Sequence, residues 1–541
     1  MVESADGWLR VPVGRGSGLW ATRRHTKKVL VVAHTVTSTA RLLDVLTVIE
    51  RDPRVQVLFT VIPASAFDAG VASLLDDIGA RVIPWDQAVD EEFDLALTAG
   101  NSGELHRIKA PSVIMPHGMG YNKYLKTENG KRKTVYGLAA EQLLHKGEVV
   151  AASIVLSHPE QLERLRGECP EAVSRATVAG DPCLDRMDAS LPWRERYRAE
   201  LGLRAEQRLV VVASTWGENS LFADRPELLG RLLANLPFDR CRVAAVVHPN
   251  VWYGHGTRQV RRWLDDCRRS GLILIPPREG WRAAVVASDC VVGDHGSVTL
   301  YAAALGRPVA LAGYNPDAIA PVTAMAALAD RAPRLDAVAD IETVMDEFKP
   351  GRYDEVSRLA VARRGSSFRV LRALLYELMC LDEPDEPPQV LPVPPASPGE
   401  REWGHPAVPA LQVTACVGDA IRLERFPIVL SESRAEPLSD PHLVVDDTET
   451  DDRLRQMAQV LVRRAESPGM TGAGAPEPVF AAHPACRCLA DVDGDRCVVR
   501  LRDGRSIERA LKGRDPALLA SAVFAWAASG RPLTDLPAID H

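Results

Sequence analysis

VVGDHGSVTLYAAALGRPV, residues 291–309, holds a complete strand–turn–helix step and the entry to the next strand. The apolar run ends at Gly293, a turn of small and polar residues follows, and an alanine-rich helix begins near Ser297. Gly306-Arg307-Pro308 then leads into a strand at Val309–Ala312. In such a step the backbone N–H groups of Gly296, Ser297 and Val298 lie at a helix N-terminus, where unsatisfied donors and the helix dipole favour an anion. Asp294 and His295 fall at the carboxyl end of the strand, the edge at which open α/β sheets hold their ligands. The stretch predicts a parallel α/β fold with a phosphate-type site.

The same alternation extends to both sides. Strands are expected at Leu209–Ala213, Val243–Val247, Leu272–Ile275 and Cys290–Val292, with helices at Arg225–Ala234 and Arg258–Arg269. A helix near Phe368–Leu381 ends this set. An earlier set begins with VLVVAHTVTSTARLLDVLTVIE (29–50), a strand, a polar turn and an amphipathic helix. It continues with strands at Val55–Ile62, Arg81–Pro84, Leu95–Thr98, Ser112–Met115, Ser153–Ser157 and Ala176–Ala179, and a helix around Ala69–Ile78. Near-continuous apolar strands alternating with helical patterns indicate parallel sheets covered on both faces.

At 541 residues the chain exceeds what one core supports. The expected fold is α/β, with two tandem doubly wound, Rossmann-like domains and a small C-terminal α+β extension. Residues 1–27 form an N-terminal extension, 28–200 an acceptor-side domain and 201–381 a nucleotide-binding domain. The proline-rich, acidic segment DEPDEPPQVLPVPPASPGE opens a linker, 382–403, expected to act as a semi-stiff spacer. Residues 404–541 form an accessory region, broken at SPGMTGAGAPEP (467–478) before a small α+β unit. That unit contains a hairpin turning at Asp503-Gly504 and a helix at Ala517–Ser529.

A hydrophobic content of 46% and a charged content of 25% are those of an ordinary globular protein. The net charge of -7 argues against a dedicated nucleic-acid binder. The ten cysteines are scattered, as reduced thiols in a cytoplasmic protein are. Cys486, Cys488 and Cys497, with His483, read either as part of a metal site or as incidental cysteines. Their spacing departs from the usual Cys-x2-Cys pairs, and no metal is expected. No apolar run reaches the roughly 18–20 residues of a membrane span, and the N-terminus lacks a signal-type apolar core. The expected location is the cytoplasm, with peripheral attachment at the inner membrane face left open.

Four further segments carry chemistry at strand ends. In MPHGMGYNKY (115–124), His117 follows a strand and suits removal of a hydroxyl proton, while Lys123 and Lys126 suit phosphate. The other reading is a turn with a capping histidine. In AGDPCLDR (179–186), Gly180 permits close backbone approach and Asp185 suits backbone N–H groups of the next helix. In VVVASTWGEN (210–219), Ser214 and Thr215 offer hydroxyls and N–H groups to a phosphate. In VVHPN (246–250), His248 suits a diphosphate oxygen or a turn, and His255 is a weaker candidate.

In this order the motifs resemble those of the GT-B nucleotide-sugar-dependent transferases, and within that fold the CDP-glycerol glycerophosphotransferases. The resemblance runs over about residues 28–380. It rests on His117-Gly118 with Lys123, Gly180-Asp181-Pro182-Cys183-Leu184-Asp185, Ser214-Thr215-Trp216, His248-Pro249 and Asp294-His295-Gly296-Ser297. The chain is also similar to the non-hydrolysing UDP-N-acetylglucosamine 2-epimerases. The resemblance implies a transferase using a nucleotide-diphosphate-linked donor, of glycosyl or glycerophosphoryl type, on a hydroxyl acceptor in an interdomain cleft. It implies catalytic roles for His117, His248 and Asp294. Ser214, Thr215, His295, Gly296, Ser297 and Tyr301 would hold nucleotide and phosphate, and Lys123 and Asp185 would face the acceptor. No metal or other cofactor is implied.

Two departures stand out. The acid that these folds place four residues after the Gly-Ser pair is Tyr301, and the arginine of the Gly-x-Pro-Arg motif is Cys183. Both point away from teichoic-acid polymerisation. Two alternatives remain: an epimerase-like enzyme, and a non-catalytic nucleotide-binding scaffold. Residues 404–541 read as a docking unit for a protein partner or as an extension that packs back on the body.

Overall fold

The computed structural model describes residues 8–10, 12–14, 17, 22, 25–63, 68–125, 134–338, 340–396, 409–464, 475–537 and 539–540. The first sheet contains β1 (Lys27–Ala33), β2 (Val55–Val61), β3 (Leu95–Thr98), β4 (Ser112–Ile114), β5 (Ser153–Leu156) and β6 (Ala176–Val178). All pairings are parallel, in the order β2-β1-β3-β4-β5-β6. The strand expected at 81–84 contributes one parallel bridge, Phe59–Val82, because Pro84 opens the helix Trp85–Asp90.

The second sheet contains β7 (Arg208–Ser214), β8 (Cys241–Val247), β9 (Ile273–Leu274), β10 (Cys290–Gly293) and β11 (Val309–Leu311). It is also wholly parallel, in the order β9-β8-β7-β10-β11. With the outer bridges Phe59–Val82 and Leu311–Arg334 included, both sheets run third, second, first, fourth, fifth. This is the doubly wound order, with a switch point between the first and fourth strands.

Five helices frame the site and the domain contact, α1 (Val36–Leu46), α2 (Pro182–Ala189), α3 (Trp281–Ala287), α4 (Ser297–Ala304) and α5 (Ser367–Leu378), and α6 (Pro516–Ala528) belongs to the accessory region. The helix expected over 258–269 is two, Thr257–Trp263 and Asp265–Arg269, because Leu264 leaves helical geometry between them. Helix α5 returns to the first domain. Its Phe368, Leu371, Leu375 and Tyr376 join the core beneath β1 and α1, and the Tyr376 hydroxyl donates to Asp52.

The accessory region forms one sheet rather than a separate small unit beyond residue 478. Its strands are β12 (Leu411–Val417), β13 (Ile421–Pro427), β14 (His442–Asp446), β15 (Val460–Arg464), β16 (Cys488–Asp493), β17 (Arg496–Leu501), β18 (Ser506–Ala510) and β19 (Ile539–Asp540). Their order is β18-β17-β16-β15-β14-β12-β13-β19, with β14, β15 and β16 parallel. The turn at Asp503-Gly504 joins antiparallel β17 and β18, and Gly504 takes the left-handed φ of +91 that such a turn demands. Helix α6 covers one face of the sheet, with Cys488 and Cys497 in the shared core. Among the described residues no group of three or more His, Cys, Asp or Glu side chains could hold a metal ion. Nor is any helix among them long and apolar enough to cross a membrane.

This third unit packs back on the second domain. Arg425 is fully buried between Asp239 and Asp515, and its carbonyl accepts from the Phe238 N–H. Linker residues 391–393 are also packed, contrary to the spacer expectation. Arg186 donates to the carbonyls of Leu391 and Pro392, Tyr197 to that of Val393, and the Val393 N–H donates to Ser190. Proline-rich segments leave carbonyls unpaired, and here buried arginine and tyrosine side chains take them up.

Candidate functional site

The two switch points differ. After β1, His34 is buried and its ring lies 3.0 Å from the Ser102 carbonyl. The next chain passes so close that a Cβ on Gly100 would lie 3.2 Å from the imidazole. Helix α1 carries a complete capping box, with Thr35 accepting from the Ser38 N–H and Ser38 accepting from the Thr35 N–H. The first crevice holds the buried His34, and the capping box satisfies two of the donors at the start of α1.

After β7 and β10 the arrangement is open at the helix end. Asp294 Oδ2 accepts from the Thr215 N–H at 2.8 Å, the Thr215 hydroxyl at 3.0 Å and the Leu221 N–H at 3.0 Å. These bonds pin the 215–221 segment. Oδ1 of Asp294 is buried without a hydrogen-bond partner, as is Nδ1 of His295. The N-cap of α4 is Gly296, which has no side chain to close the first turn. A Cβ on Gly296 would lie 2.6 Å from the Thr215 methyl carbon, so glycine alone allows this approach.

The first domain meets this helix end directly. The Met119 N–H lies 3.3 Å from the Ser297 hydroxyl, and Gly118 faces it so closely that a Cβ would sit at 2.4 Å. Beyond it the chain pairs with the second domain, Tyr124 N–H to the Ala318 carbonyl and Ala320 N–H to that of Asn122. Lys123 bridges to Ile319 in the same contact.

Three imidazoles and one ammonium converge here. Burial pushes His117 down to about 4, helped by the charges of Arg41 and Lys123, while a hydrogen bond to the Ala99 carbonyl opposes the shift. Burial pushes His248 down to about 3, with His117 and Lys123 adding to it. Burial and Lys123 push His295 down to about 4, against the Asp294 charge. The Lys123 charge thus acts on all three rings, and all three are neutral at pH 7. His248 caps the helix Pro249–His255 by accepting from the Asn250 N–H at Nδ1. Its neutral ring therefore carries the proton on Nε2, as a donor. Donors, an uncapped helix end and a cation on one locus favour an anion.

Several expectations are corrected. Tyr301 is 1% exposed, and its hydroxyl donates to Asp181 Oδ2 at 2.9 Å while accepting from Arg41. It ties the domains together and cannot reach a nucleotide. Asp185 does not face an acceptor: it accepts from the N–H groups of Gly365 and Ser367 and from the Ser367 hydroxyl, fixing the start of α5. The hydroxyls of Ser214 and Thr215 are already engaged within the protein, on the Thr215 carbonyl, the Phe222 N–H and Asp294. His255 stands away at a helix end, its ring 5.0 Å from that of Trp263. Lys126 lies outside the described residues.

The sequence reading missed a buried ionic seam between the domains. Arg41 pairs with Asp181 at 2.8 Å, and Asp44, three residues on along the same face of α1, pairs with Arg186 and Arg282. An Arg and an Asp on the otherwise apolar face of α1 were the available signal. His34 was missed too, although it ends a strand as His117 and His248 do.

No family model matches the chain, and no curated protein matches it. Solved structures similar to it include the wall teichoic acid polymerase TagF, at 12% identity and a TM-score of 0.48 over 66% of this chain and 90% of that one. UDP-GlcNAc 2-epimerase from Neisseria meningitidis bound to UDP-GlcNAc is another, at 13% identity and 0.40 over 65% and 99%. MnaA of S. aureus in a co-structure with UDP is a third, at 11% identity and 0.42 over 66% and 99%. On its own sheet topology, the body of the chain is a pair of Rossmann-like domains in a GT-B-like fold.

Proposed function

We propose that this chain is a transferase that takes a nucleotide-diphosphate-linked donor and passes the linked group to a hydroxyl of an acceptor. One observation carries the reading: His117 and Lys123 of the first domain meet His248, His295 and the uncapped Gly296-Ser297 turn of the second. The donor's phosphates sit on the N-terminus of α4, with the His248 Nε2–H and Lys123 as further donors. Asp294 is a positioning residue that holds the 215–221 segment and the turn. The helix end, the His248 Nε2–H and the Lys123 ammonium offset part of the phosphate charge.

One ring nitrogen of His117 donates to the Ala99 carbonyl, which leaves the other as a base. It takes the proton of the acceptor hydroxyl as the acceptor oxygen bonds to the transferred group. The bond from that group to the nucleotide's phosphate breaks, and the electron pair stays on the phosphate oxygen. Burial is the main cause of the low His117 basicity; a diphosphate beside Lys123 offsets the positive charge that adds to it, so donor binding raises the basicity of the ring.

The test is calorimetry on the full chain against nucleoside diphosphates and their sugar and glycerol conjugates, followed by a transfer assay with whichever binds. His117→Ala is expected to keep donor affinity within about threefold and to lose about 10²–10⁴ in turnover. Lys123→Ala is expected to lose affinity itself. Absence of binding by every nucleotide conjugate, or full turnover by His117→Ala, would overturn the reading. Isomerisation of the donor without an acceptor, seen by NMR, would favour an epimerase instead.

A further inference from the structure

We infer that His34 is a positioning residue for the base: through the turn 99–102 it holds His117 in the one tautomer that places its proton on the Ala99 carbonyl. The inference rests on the transferase reading, in which His117 is that base, and adds a residue to it. His34 directly follows β1, which pairs in parallel with β3, and β3 runs into the turn. Val32 pairs with Thr98, so His34 comes level with Gly100 two residues on. Its Nε2 lies 3.0 Å from the Ser102 carbonyl, and because a carbonyl only accepts, Nε2 carries the ring proton as donor. Its Nδ1 lies 3.4 Å from the Thr98 hydroxyl. Burial lowers the basicity of this ring, so it is neutral at pH 7 and acts by shape and hydrogen bonding.

The turn is held along its length. The Thr98 hydroxyl donates to the Gly100 carbonyl at 3.0 Å, and the Asn101 side-chain amide donates to the Gly137 carbonyl at 3.1 Å. The His34 imidazole occupies the space beside Gly100 and closes the turn at Ser102. Ala99 is buried inside this clamp, and its carbonyl accepts from His117. A neutral imidazole can carry its proton on either nitrogen, and the hydrogen bond made by one nitrogen fixes the state of the other. The charges of Arg41 and Lys123 depress the basicity of His117 without selecting a nitrogen; the Ala99 carbonyl selects it. A base that shares its proton between both nitrogens presents the bare one to the acceptor hydroxyl only part of the time. Holding the turn therefore acts on turnover and not on donor affinity.

The experiment follows the His117 ring by nitrogen NMR in the full-length chain with isotope-labelled histidine, the His117→Ala spectrum assigning its signals. At pH 7 and without ligand, the wild type is expected to show a single neutral tautomer. His34→Phe keeps a flat ring but cannot donate to Ser102, and is expected to give a mixture of tautomers. His34→Gln supplies an amide N–H in place of Nε2–H and is expected to restore the single form. Thr98→Val removes the hold on the Gly100 carbonyl and is expected to shift His117 in the same direction, which decides the matter if His34→Phe does not fold. In the transfer assay His34→Phe is expected to lower kcat about 10–100-fold with KM within about twofold, and His34→Gln to recover most of the loss. A single His117 tautomer in His34→Phe, or in Thr98→Val where His34→Phe does not fold, would overturn the inference. So would a mixture in His34→Gln equal to that in His34→Phe. A chain whose tautomer responds as expected but which transfers nothing would overturn the transferase reading and leave the hold on His117 standing.

Discussion

Replacing Tyr301 by Phe removes one oxygen from the seam between the domains. That oxygen donates to Asp181 and accepts from Arg41, so both bonds cross from the second domain to the first. Hydrogen bonds to charged groups contribute about 1.5–3 kcal/mol each. Neither partner is orphaned by the change. Arg41 keeps both Asp181 oxygens and the Gly118 carbonyl, and Asp181 keeps the N–H groups of Cys183 and Leu184. The loss should therefore lie near that of a single bond, about 2 kcal/mol, or roughly a thirtyfold fall in the folded-to-unfolded ratio. Urea unfolding of the full chain by tryptophan fluorescence measures it, with Trp281, whose ring is 5.4 Å from that of Tyr301, as the local reporter. Tyr301→Glu installs the acid that the family pattern places here. It sets a second carboxylate against Asp181 with Arg41 to share, and should cost about 3–5 kcal/mol with no gain in nucleotide affinity. A Tyr301→Phe variant within about 0.5 kcal/mol of wild type, or a stable Tyr301→Glu variant that binds donor more tightly, would refute the closed seam.

Acid should destabilise the site region over a definite window. His117, His248 and His295 titrate near 4, 3 and 4 when folded, below the 6.5 of a free imidazole, so the unfolded chain binds more protons between those limits. Stability is then full above pH 6.5 and falls as pH drops toward 4; a flat urea midpoint between pH 7 and 5 would contradict it. Arg425→Ala leaves Asp515 and part of Asp239 buried without their cation and should cost about 3 kcal/mol, read as faster limited proteolysis of residues 409–540. Gly118→Ala drives a methyl group into Ser297 and should weaken donor binding and cost about 1–3 kcal/mol, by calorimetry and urea unfolding.

The two α/β sets were legible because parallel strands buried on both faces write themselves as apolar runs. Leu95–Thr98 and Val309–Leu311 are plain examples. The candidate site was legible where a residue's place at a strand end brings it to the domain contact, as for His117, His248 and Gly296. It was not legible where a side chain's partner comes from far along the chain. Tyr301 pairs with residues 120 and 260 positions away, and Asp185 with residues about 180 away. The hydroxyls of Ser214 and Thr215 show a different limit: the sequence displays a donor but not whether the fold has already used it. The packed linker shows the converse, since its proline composition predicts stiffness but is silent on the arginine that receives its carbonyls.

The open start of α4 bears on how this protein would respond to a ligand. In α1 the first turn is closed by Thr35 and Ser38, so that helix is complete when the chain folds. In α4 the N-cap is a glycine with no side chain to do the same, and a bound phosphate would supply the partner. Ligation would then act as the last step of folding for residues 296–299. Their backbone amides should exchange with solvent deuterium quickly in the empty protein and slowly in the liganded one, while those at the start of α1 do not change.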